Sequence, residues 1–150
     1  MADLAVGFAL LCAVLNLVAG GVGAWLWWRV SPARVFWPLA RAGQAAAVVL
    51  AIVAGVIAAA GGSPSNGLFW LYSVLPVTVS FVAEQLRIAS AQTVLDARGL
   101  EDAKAMAALP EDEQRSIVLQ IVRRELGVMS AAALVMAFLA LRAAATTAGI

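Results

Sequence analysis

The sequence predicts an all-α, polytopic membrane four-helix bundle with a cytoplasmic helical hairpin extending spans three and four. Three observations lead there. Of the 150 residues, 63% are hydrophobic and only 13% charged, whereas a soluble domain sits near half apolar and a quarter charged. Mean hydropathy is +0.93, and so short a chain has too little interior to hide that much apolar surface from water. The apolar residues also fall into four long stretches rather than many short ones. Helices are the expected form, because an open sheet would leave backbone groups unpaired in hydrocarbon.

The first stretch is 4–28, with Asn16 its only strongly polar side chain. Its front, Met1-Ala2-Asp3, has an acid and no Lys or Arg. The run is also about twice the length of a signal-peptide core, so it reads as a retained span. The second stretch is 42–60, with Gln44 near its start. Both meet the length of about 20 residues that a spanning helix needs. The third, 67–84, reaches that length if Gly67 and Glu84 lie among headgroups, and Pro76 predicts a kink within it. The fourth, 127–147, spans if Arg142 snorkels outward.

Residues 85–126 carry most of the remaining charge. The Ala-, Leu- and Gln-rich run after Ala83 predicts that the third helix continues to Arg98, with Gly99 as its stop. A short Ala-rich helix is expected within 100–108. Pro110 followed by Glu111, Asp112 and Glu113 predicts a new helix start, since acids complement the positive end of the helix dipole. That helix runs on into span four. Ile117, Val118, Ile121 and Val122 recur on it at helical spacing as an amphipathic stripe. The stripe is either the packing surface of the hairpin, against the Leu86, Ile88 and Val94 region, or a surface for a partner.

Orientation follows from the basic residues. Arg29, Arg34 and Arg41 lie in the first connection; Arg87, Arg98, Lys104, Arg115, Arg123 and Arg124 lie in the third. The positive-inside rule puts both connections, 29–41 and 85–126, in the cytoplasm and both termini outside, in a plasma (inner) membrane. The second connection, Gly61-Gly62-Ser63-Pro64-Ser65-Asn66, is then a short outer turn. Trp25, Trp27, Trp28, Phe36 and Trp37 flank the inner boundary, and Phe69, Trp70 and Tyr72 the outer one, as interfacial aromatic belts do.

Composition also excludes chemistries. There is no histidine, which removes His-ligated haem, most zinc hydrolases and His-based triads. Cys12 is the one cysteine and Lys104 the one lysine, so neither an internal disulfide nor a CxxC pair can form. Every aspartate lies outside the spans. No catalytic residue, cofactor or metal is therefore expected, and with a net charge of +1 no nucleic-acid partner.

The remaining candidates are polar groups and faces. Asn16, Gln44 and Glu84 are candidate intramembrane polar residues, for helix contacts or a permeation path. Gly43, Ala47, Ala51, Gly55 and Ala59 repeat every fourth residue, a small-residue face for close helix packing within one chain or in a homo-oligomer. The expected function is a non-enzymatic accessory or scaffold component in the lipid bilayer. Its hairpin would engage a membrane or cytoplasmic protein. A small oligomeric channel or transporter is the alternative.

Overall fold

The computed structural model describes residues 2–29, 34–62, 66–101 and 103–148. Residues 30–33 and 63–65 of two expected connections, and Asp102, lie outside the described residues. Among the described residues five helices follow one another: α1 (Ala2–Arg29), α2 (Phe36–Ala59), α3 (Leu68–Ala97), α4 (Ala103–Ala107) and α5 (Glu111–Ala148). No strand occurs among the described residues. All but α4 are long and apolar enough to cross a membrane.

The helix ends follow local chemistry. α2 starts at Phe36, earlier than the apolar stretch at 42, which Arg41 interrupts. Pro38 falls in its first turn, where a missing N–H breaks no helical bond. α2 ends on Gly61, with φ at 72°. There the Gly61 N–H donates to the Ala58 carbonyl and the Gly62 N–H to the Ile57 carbonyl. Gly99, with φ at 68°, ends α3 in the same way, through Gly99 to Asp96 and Leu100 to Leu95. Both ends are Schellman motifs, which satisfy carbonyls that a helix end would otherwise leave bare. Leu100 also packs against Leu95, the apolar contact that accompanies this motif. α5 starts directly after Pro110, and the Gln114 amide donates back to the carbonyls of Leu109 and Ala107.

The four long helices form a ring in chain order, with α1 against α2 and α5, and α3 against α2 and α5. Small side chains let them approach. Ala5, Ala9, Cys12, Ala13, Asn16 and Ala19 form the buried face of α1. Gly23 of α1 meets Phe36 of α2 and Ser130 of α5. Around it, Leu26, Phe36, Ala83, Leu126 and Met129 close one end of the bundle. Past this cluster α1 and α2 stop. The last turns of α3, with α4 and the first turns of α5, go on to build a separate cluster of Val94, Leu95 and Ile117, flanked by Leu100, Met106, Leu109 and Ile121.

Outward surfaces of the four long helices remain apolar, with Leu17, Ile52, Val74 and Phe138 each more than half exposed. A helix apolar on every side belongs in a large core or in lipid. Arginine–aromatic stacks mark two levels along the ring. Arg29 lies over Trp25, Arg87 over Trp37 and Arg123 over Trp27 at one end. Arg142 lies over Tyr72 at the other. From residue 123 to residue 142, α5 rises about 28 Å at 1.5 Å per residue. That matches a hydrocarbon layer about 30 Å thick.

Candidate functional site

Side-chain hydrogen bonds that join one long helix of the bundle to another gather at two places. Asn16 is 1% exposed and joins α1 to α2. Its Nδ2 donates to the Gly43 carbonyl at 3.0 Å and to the carbonyl of Cys12, one turn back, at 2.9 Å. A Cβ on residue 43 would lie 2.6 Å from Asn16 Oδ1, so only glycine lets the amide reach the α2 backbone here. Asn16 Oδ1 itself is buried and accepts no hydrogen bond; Ser73 Oγ of α3 is likewise buried and unpartnered. Such an interhelical bond contributes about 0.6 kcal/mol, and up to nearly 2.

The second place joins α2 to α3 at the end where the stacked tryptophans lie. Glu84 Oε1 accepts from Arg41 Nη1 and from Gln44 Nε2, both at 2.8 Å. Glu84 Oε2 accepts from Arg87 Nε at 3.1 Å. Arg41 Nη1 also donates to Gln44 Oε1 at 2.7 Å. Gln44 therefore gives and receives within one closed network, and both carboxylate oxygens are occupied. Gln44 and Glu84 come together at one end of the bundle, whereas Asn16 stands apart on the α1–α2 seam. The role of Arg87 at i+3 from Glu84 was visible in the spacing; its stacking on Trp37 (5.1 Å) was not, because the two lie on different helices.

Charge-assisted hydrogen bonds of this kind are stronger than neutral ones. The Arg41 side chain is 55% exposed against 22% for Glu84, so solvent weakens that pair. The network clips α2 to α3 and engages both oxygens of the Glu84 carboxylate. Among the described residues no group of three or more metal-ligating side chains assembles.

The amphipathic stripe divides. Ile117 is 1% exposed, covered by Val94 and Leu95, with Ile121 packed beside it. Val118 is exposed and Val122 half-buried. Neighbouring positions on a helix point about 100° apart, so the 117/121 column faces α3 and the 118/122 column turns away from it. Of the residues expected under the stripe, Val94 lies there, joined by Leu95, while Leu86 and Ile88 are exposed.

The small-residue face divides too. Gly43 and Ala47 are buried, Ala51 is half-buried, and Gly55 and Ala59 are exposed. A spacing of four advances about 40° beyond a full turn at each step. The column therefore winds off the packing face, whose buried members are Ala40, Gly43, Ala47, Leu50 and Ala54. No protein-family model, curated protein or solved structure gives a match to this chain.

Proposed function

We propose that the chain is a small integral membrane protein that acts as a non-enzymatic accessory or scaffold component. The helical hairpin of α3, α4 and α5 lies on the cytoplasmic side and engages a protein partner. One observation carries this reading: the apolar column of exposed Val118 and half-buried Val122, with Leu119 46% exposed beside them. In the bundle the same helix is covered by α1 as well as by α3. Past the end of α1 no described residue takes its place, and exposed apolar clusters rimmed by polar residues mark interaction surfaces.

Topology is tested with Ser65→Cys and Lys104→Cys, labelled in intact cells with an impermeant thiol reagent. Position 65 should react and position 104 should not; the reverse pattern would invert the assignment. The partner surface is tested with Val118→Gln and Val122→Gln. These should abolish site-specific photo-crosslinking from position 119 in native membranes while the melting temperature holds. Crosslinks that persist in the double variant count against the surface.

A second reading, a small oligomeric channel or transporter, draws on the unpartnered Oδ1 of Asn16. It predicts that Asn16→Leu alters solute flux in liposomes. On the scaffold reading, flux is absent with either residue.

A further inference from the structure

Two apolar grooves run down the outside of the bundle, one on each side of α5. The larger, about 420 Å³, lies between α3 and α5 and includes Val79, Val82, Leu86, Val128 and Val135. The smaller, about 250 Å³, lies between α1 and α5 and includes Ala24, Trp27, Gly127 and Leu134. They meet at Ala131, which lines both. The small side chain at 131 makes the ridge between them low.

Charge is placed at the same end of both grooves. Positions 124, 128, 131 and 135 follow the i, i+4, i+7 spacing of one helix face. Arg124 thus continues the ridge one turn, about 6 Å, beyond Val128. It is exposed, and among the described residues no ion pair or ring contact engages it. Arg123 lies over Trp27, a wall of the smaller groove. On α3, the positions that follow Leu86 along the larger groove are Ala89, Ser90 and Thr93, none of them acidic; the one acid beside Arg124 on α5, Glu125, is half-buried and turned toward Arg87 of α3.

From this geometry we propose that the outer face of α5 is a binding site for an anionic diacyl phospholipid of the surrounding leaflet. One acyl chain lies in each groove, the glycerol backbone straddles the ridge near Val128, and the phosphate meets Arg124. The grooves supply apolar walls for two chains, and the paired arginines supply charge of the complementary sign at headgroup depth. An anionic headgroup near one such basic residue gains about fivefold in affinity. The site rests on the membrane reading given above.

Full-length protein is reconstituted with equal amounts of dioleoyl phosphatidylglycerol and dioleoyl phosphatidylcholine, then released into the gas phase for native mass spectrometry. The wild type should retain the glycerol lipid about fivefold over the choline lipid. Arg124→Gln should bring the ratio near one, while Arg124→Lys, and Arg115→Gln on the far side of the helix, should keep it. Ala131→Phe, which raises the ridge at an exposed position, should lower retention of both lipids. Equal retention by the wild type, or an unchanged ratio in Arg124→Gln, overturns the site. So does a lipid-free dimer that Ala131→Phe breaks into monomers, since the grooves would then hold a second copy. Vesicle flotation after carbonate washing separates the two levels: protein that fails to float removes the membrane reading, and floating protein without lipid preference removes only the site.

Discussion

Gly23 and Gly21 lie two residues apart on α1, and the same substitution should have opposite effects at the two. A Cβ added at Gly21 meets nothing within 4 Å. Alanine there gains helix propensity alone, about 0.5–1 kcal/mol. A Cβ at Gly23 would overlap Ser130 Oγ and come within 2.5 Å of Phe36 Cε2 and 2.9 Å of Cδ2. Phe36 has no room to withdraw, and Ser130 can turn away only by giving up a hydrogen bond. Phe36 is 0% exposed, and Ser130 Oγ is held by the Leu126 carbonyl at 2.6 Å. Overpacking of this kind costs about 1–3 kcal/mol, which outweighs the propensity gain. Both variants share the propensity gain, so they should differ by the overpacking cost alone, about 1–3 kcal/mol. Reversible unfolding in mixed micelles, followed by tryptophan fluorescence, measures the difference. Equal stability of Gly21→Ala and Gly23→Ala would refute the three-helix contact at Gly23 and the ring order built on it.

Three further outcomes follow from the same contacts. Gly43→Ala should destabilise by about 1–2 kcal/mol by displacing the Asn16 amide; pairing it with Asn16→Ala should recover part of that loss, and strictly additive effects would show that the two residues do not touch. Glu84→Gln should cost about 1–2 kcal/mol, because Arg41 and Arg87 both lose their carboxylate partner; added salt should narrow the gap to wild type, and a gap that salt leaves unchanged would count against an ionic clip. Ile117→Ser should speed amide exchange in 92–121 while leaving 5–20 and 131–145 protected, as expected where a cluster is built only from α3, α4 and α5; uniform acceleration along the chain would mean that this cluster and the bundle unfold as one unit.

What was legible in the residues was governed by short-range rules. Composition and stretch length gave four long helices, and the glycine at 99 and the proline at 110 bracketed α4, because caps and breakers act within a few residues. Helix edges were less legible where charge sits inside an interfacial turn, as Arg41 does in α2. The lateral arrangement was harder. Which face of each helix turns inward depends on the partner it meets, and a fourfold repeat of small residues looks continuous in sequence although it rotates away from its neighbour after two turns. The Glu84 network was half legible, since Arg87 is local to it while Gln44 and Arg41 arrive from another helix. The division of the 117–122 stripe needed the structure, because only there does α3 outlast α1 and α2.

The arginine–aromatic stacks at the two levels of the ring act as a ruler. Arg123 on Trp27 and Arg142 on Tyr72 fix a distance along α5. A bilayer of different thickness has to stretch, thin, or tilt the helices to meet both, at a fraction of a kcal/mol per ångström of mismatch. A leaflet pair much thicker than that distance would draw one guanidinium into hydrocarbon. On the membrane reading proposed above, the stacks would bias the chain toward bilayers of one thickness, and partition between coexisting thick and thin lipid phases would report the preference.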